Sequence, residues 1–177
     1  MPDDDAEIRM VCGLSDLMDS TAAVAECLER LHAGLAGRVP DALFLFVSPH
    51  HRDAYALIQE SLIDAFKPGL LVGCSGGGVI GGARELEELP GLSVTAAIFP
   101  GVRLSVRHLR DEDLPGPDEA PRAWELALGA RAEDRPSFIA FLSPFMSRAE
   151  ELLAGMDYAF PQCRKIGGVA SGLRHLE

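Results

Sequence analysis

Apolar positions gather into seven short runs set apart by polar, Gly- and Pro-bearing stretches. They predict strands over residues 7–13, 42–48, 70–74, 93–99, 103–109, 138–143 and 165–170. Several runs are apolar at consecutive positions, ALFLFV at 42–47 above all, the pattern of strands covered on both faces. A different spacing precedes the second run. Val24, Leu28, Leu31 and Leu35 recur at intervals of 4, 3 and 4, with Asp19 and Ser20 ahead as caps and Gly37 beyond, which predicts an amphipathic helix over 21–36. Residues 52–66, ended before Pro68, and residues 120–130 and 147–160, the latter stopped by Pro161, predict three more helices. Residues 111–121, rich in acids and prolines, read as a polar connection rather than a folded element. Charges alternating around Leu86 make residues 84–88 an exposed edge strand or turn with no chemistry of its own. The fold class that follows is α/β, a mixed β-sheet flanked by helices.

The arrangement on one side of residues 111–121 recurs on the other: helix, apolar strand ending in Ser-Pro, helix, then a strand running into Gly and Ser. At an offset of 95 positions, Phe46, Ser48, Pro49, Ala54 and Leu57 are identical to Phe141, Ser143, Pro144, Ala149 and Leu152. After a one-residue slip VGCSGG at 72–77 falls on GVASGL at 168–173, aligning Ser75 with Ser171. An internal α-β-α-β duplication over 19–110 and 118–175 is one reading. The other is that any two α/β units share this order. The second copy stops soon after its Gly-Ser turn, at Leu176 and Glu177, so residues 1–177 are expected to form one domain cut from a longer protein.

Composition narrows the classes. With 16 Lys plus Arg against 27 Asp plus Glu, net charge −11, and only two lysines, the chain offers no surface for counterion release, so nucleic acid is not an expected partner. The longest uncharged stretch, residues 68–83, has 16 residues of which seven are glycine, too short and too flexible for a membrane span. Asp3, Asp4 and Asp5 stand where a secretory leader would be basic, which points to the cytoplasm. Cys12, Cys27, Cys74 and Cys163 form no CxxC and share no metal-box spacing with the five histidines, so reduced thiols, no metal and no cofactor are expected.

Chemistry concentrates in LVGCSGGGVIGG at 71–82. Gly76, Gly77 and Gly78 permit positive φ and close approach, so their N–H groups could converge on an anion or carboxylate; a β-bulge or a tight crossing of two backbones is the competing use. No GK[ST] follows, which removes the P-loop, and no GxGxxG is in register for a dinucleotide. Residues 73–77 fit GxSxG, but the glycines beyond do not suit the helix that must follow a nucleophile elbow, and the match reads as accidental. A Cys74 thiolate with His50 or His51 as base is the other nucleophilic option, set against Cys74 as a small buried filler. Ser48, His50 and His51 lie where a strand becomes a helix, the end of α/β strands where ligands bind, although a serine there also serves simply as a cap. Ser143 and Ser171 are open to the same two readings.

The chain resembles the N-terminal part of a FIST domain, the module of F-box and intracellular signal transduction proteins. The resemblance is carried by PDALFLFVSPHHRDAYALI at 40–58, LLVGCSGGGVIGGARELEELPGLSV at 70–94 and IGGVASG at 166–172. It implies a non-catalytic α/β sensory domain that binds a small molecule, of the amino-acid type in the family, and reports occupancy to an attached signalling module and to a further C-terminal FIST region. In the commoner motif CS is followed by a small polar pair and an acid. Gly76, Gly77, Gly78 and Val79 stand there instead, which leaves recognition to backbone amides and Ser75. The expected lining is Ser48, His50, Cys74, Ser75, Gly76 and Gly77, with Ser143, Gly168 and Ser171 as a pseudo-symmetric counterpart. Alternatives from other classes are a hydrolase or acyl-transfer enzyme using Cys74 or Ser75, and a passive adapter whose glycines only pack.

Overall fold

A computed structural model describes residues 7–171. The carboxyl-terminal Leu176 and Glu177 and the acidic run Asp3 to Asp5 lie outside them. The chain forms two compact units, Met1–Leu104 with Ser171–Glu177, and Ser105–Ala170.

The first unit is built on a four-stranded mixed sheet of β1 (Arg9–Ser15), β2 (Ala42–Val47), β3 (Leu70–Ser75) and β6 (Leu92–Ile98), in the order β1-β6-β2-β3. β2 and β3 run parallel, joined by a 3-10 helix (Pro49–Ala54) and α2 (Tyr55–Phe66), while β6 is antiparallel to both β1 and β2. α1 (Ser20–Leu35) begins where Asp19 caps it by accepting the Ala22 N–H at 2.8 Å and ends in the left-handed residues Ala36 and Gly37. Its buried stripe, Ala23, Val24, Cys27, Leu31 and Leu35, and that of α2, Ile58, Leu62 and Phe66, pack on one face of the sheet. Leu43, Leu45 and Val47 of β2 and Leu92, Val94 and Ala96 of β6 supply that face, at the period of two a strand dictates.

On the opposite face lies a hairpin, β4 (Gly78–Gly81) and β5 (Arg84–Glu87), turned by Gly82 and Ala83, both at positive φ (54° and 63°) as a type I′ turn requires. Val79 and Leu86 pack there with Leu14 and Phe46, and the Ser93 hydroxyl donates to the Ile80 carbonyl at 2.8 Å. The charges around Leu86 are exposed while Leu86 itself is buried, which makes residues 84–87 the edge strand expected.

The second unit contains α3 (Pro121–Leu128), β7 (Phe138–Leu142), α4 (Ala149–Ala159) and β8 (Lys165–Val169), with β7 and β8 parallel. Trp124, Leu142, Leu152, Met156, Ala159 and Phe160 form its core. Trp124 fits against α4 only because residue 155 is glycine: a Cβ there would stand 2.3 Å from the indole ring.

Two sequence expectations are corrected. Residues 103–109 form no strand: from 103 to 108 every side chain is exposed, and alternation without a ladder partner does not make a strand. Residues 111–121 are no loose connection. The Asp111 carboxylate accepts from the Ser147 and Arg148 backbone N–H groups and the Ser147 hydroxyl, and these bonds hold its pKa below the ordinary value. The Arg148 guanidinium in turn donates to the carbonyls of Asp111, Leu114 and Pro115. Leu114, within this segment, is buried in the core of the unit.

Both units carry a strand, a helix and a parallel strand, and the two ladders share a detail. Gly73 stands opposite Leu45 and Gly167 opposite Ala140. A Cβ on either would meet the partner's carbonyl oxygen, at 1.7 and 1.9 Å respectively. With Phe46 matched to Phe141, the ladders equate Cys74 with Gly168, so the slip that matched Ser75 to Ser171 is not the one the backbone makes.

Candidate functional site

The carboxyl ends of β2 and β3 gather most of the residues that sequence singled out. Val47 and Ser75 are ladder partners, and Ser48, buried, follows directly. The Ser48 hydroxyl accepts the Gly91 N–H at 2.9 Å and meets His50 Nδ1 at 3.2 Å. Ser48 therefore ties the start of the 3-10 helix to the start of β6, a positioning task more than a ligand contact. His50 is exposed beside it, whereas His51 is buried with Nδ1 2.9 Å from the Ser20 hydroxyl and Nε2 without a partner. Burial holds the His51 pKa below its ordinary value, helped by His50 and opposed by Asp19.

Gly76, Gly77 and Gly78 do not form the amide cradle expected of them. None has positive φ; the Gly76 N–H donates to the Val47 carbonyl at 3.0 Å, and Gly78 pairs with Glu87 in the hairpin. The chain leaves β3 into a strand rather than a helix, so no nucleophile elbow is formed at Ser75. Burial raises the Cys74 thiol pKa, and among the described residues no base is hydrogen-bonded to it. Gly77 lies near Ser171, whose Cβ is 3.9 Å from where a Cβ on Gly77 would stand. Ser143 and Gly168 belong to the second unit, at the ends of β7 and β8, where Ser143 accepts the Phe145 N–H at 3.2 Å.

A cleft of about 240 Å³ opens on the helix side of β2 and β3. Leu45, Val47, Ile58 and Leu71 give it an apolar floor; Tyr55 and Gln59 approach from α2, and Gly73, Cys74 and Ser75 from β3. The Tyr55 hydroxyl donates to the Ser48 carbonyl at 3.5 Å. Burial raises the Tyr55 pKa, partly offset by the Ser75 side chain. Of the expected lining, Cys74 and Ser75 border this cleft; Ser48, His50, Gly76 and Gly77 do not. Sequence reading missed Tyr55 and Gln59. Their separation of four places them on one face of α2, and that spacing is the signal that could have found them. It also missed that Gly73 lets the cleft run up to the β3 backbone.

Among the described residues no group of three His, Cys, Asp or Glu side chains is placed to hold a metal ion, and the four cysteines are free thiols. No helix among them is long and apolar enough to cross a membrane.

These features define an α/β domain with a small cleft at the carboxyl ends of parallel strands. The chain belongs to the FIST N domain family, whose model matches residues 41–177, a domain associated with signal transduction. An uncharacterized protein of Mycobacterium tuberculosis (strain CDC 1551 / Oshkosh) is 30% identical over 93 residues, covering 52% of this chain and 24% of that protein. An uncharacterized protein of Mycobacterium bovis is 28% identical over 90 residues, covering 51% of this chain and 23% of that protein. The match thus spans about a quarter of the length of these relatives. No solved structure matches the chain.

Proposed function

We propose that this chain is the ligand-sensing part of a FIST-type signal transduction protein, holding a small molecule in the cleft between α2 and the ends of β2 and β3. The observation that carries the reading is the cleft itself, where the hydroxyls of Tyr55 and Ser75 and the Gln59 amide meet an apolar floor. Few convergent polar groups over an apolar surface, at the carboxyl ends of parallel strands, is the usual form of a small-ligand site. Occupancy would reach a signalling module and a C-terminal FIST region in the full-length protein, and the free thiols suit a cytoplasmic setting. Binding without turnover is the proposed mode, supported by a Cys74 thiol held protonated by burial.

The test is a titration of the ¹⁵N-labelled chain with a panel of small polar molecules, amino acids included. Saturable shifts at Tyr55, Gln59 and Ser75, absent in Ser75→Leu, support sensing. A folded chain that answers to none of them in this cleft refutes it and leaves the adapter.

A further inference from the structure

We infer that the cleft selects a small uncharged molecule, an aliphatic body carrying one carboxamide-like head, over a zwitterionic amino acid. This rests on the reading of the cleft as a ligand site.

The lining holds no Asp, Glu, Lys, Arg or His. A free amino acid brings a carboxylate and an ammonium, and each loses hydration on entry; with no counter-charge the desolvation cost stands uncompensated. The amide next to Ser75 is not free for a carboxylate, since the Gly76 N–H donates to the Val47 carbonyl, and α2 starts out of a 3-10 helix rather than at the cleft. Tyr55, which enters the cleft from α2, reports the same environment: burial is the first cause pushing it toward its neutral form.

What the cleft does supply is neutral donors and acceptors: two hydroxyls, one side-chain amide, and at Gly73 bare backbone of a strand at the border of its sheet. A carboxamide, with one donor group and one acceptor, answers that set without bringing a charge. Leu45, Val47, Ile58 and Leu71 offer a branched aliphatic body a matching surface. Size agrees: about 240 Å³, below the roughly 300–1,000 Å³ of sites for drug-sized ligands, suits a small aliphatic amide.

An isosteric series decides it: 4-methylpentanamide, 4-methylpentanoate and L-leucine share one branched body and differ in charge. Each is titrated into the ¹⁵N-labelled chain at neutral pH, with Ser75→Leu as a filled-cleft control and Tyr55→Phe as a milder one that keeps the fold. The expected result is saturable shifts at Tyr55, Gln59 and Ser75 with the amide, weakened at least about tenfold for both charged compounds. Leucine or the carboxylate binding as tightly as the amide overturns the preference for neutral ligands while the sensing reading stands. If none of the three, nor any member of the wider panel, moves these signals in the folded chain, both readings fall together.

Discussion

Replacing Gly73 by alanine should cost far more than the smallness of the change suggests. Its Cβ would stand 1.7 Å from the Leu45 carbonyl oxygen, half the 3.4 Å at which ordinary contact begins, and that oxygen is backbone of the paired strand rather than the tip of a side chain. β3 has to move away from β2 at that point, which breaks the ladder bonds on either side. At about 0.5–1.5 kcal/mol each, two lost bonds and the residual crowding come to roughly 2–4 kcal/mol. The matched control is Gly77→Ala, whose Cβ would meet nothing closer than 3.9 Å; it should lie within about 1 kcal/mol of the parent. Urea denaturation followed by far-ultraviolet circular dichroism measures both. If Gly73→Ala unfolds at the parental midpoint, the close approach of the two backbones is wrong, and with it the account of why a glycine stands there.

Gly155→Ala sets helix propensity, a gain of about 1 kcal/mol, against a Cβ 2.3 Å from the buried Trp124 ring; overpacking of about 1–3 kcal/mol should win, and a higher urea midpoint would refute it. For His51 the folded pKa lies below the ordinary 6.5, so the unfolded chain takes up the proton first; the stability is full above that value and falls as the pH drops from it toward the depressed folded pKa. His51→Gln should therefore flatten the decline in melting temperature between about pH 7.5 and 5.5, and an unchanged slope would count against a neutral buried ring. Iodoacetamide should alkylate Cys74 at neutral pH more slowly than a free thiol, as read by mass spectrometry of the Cys74 peptide. Labelling faster than the free thiol would return the nucleophile to consideration.

The long, strongly periodic elements were legible from sequence. Asp19 caps α1, Leu31 and Leu35 point inward, and ALFLFV is the buried strand it looked like. Residues 78–87 were harder, because Gly78 and Gly81 bring no β-propensity and a Gly-Ala turn lacks the Asn-Gly signature, even though Gly82 and Ala83 adopt the dihedral signs that motif provides. VRLSVRHL at 102–109 misled in the opposite direction, since alternation records two unlike faces and says nothing about a neighbour to pair with. Asp111 and Arg148 are 37 positions apart, and the bonds between them that fold the acidic stretch leave no local trace. The GCSGG motif sits at the end of β3, where Ser75 lines the cleft. Glycine alone does not tell a cradle for anions from room for another backbone, and the Gly76 bond to Val47 is what separates them.

β3 is the outermost member of its sheet, and the cleft runs along it. Water reaches such a margin directly, so a guest of the proposed kind would arrive and depart while the domain stays intact. A sensor built that way would trade tenacity for speed, its bound fraction following the surrounding concentration from moment to moment.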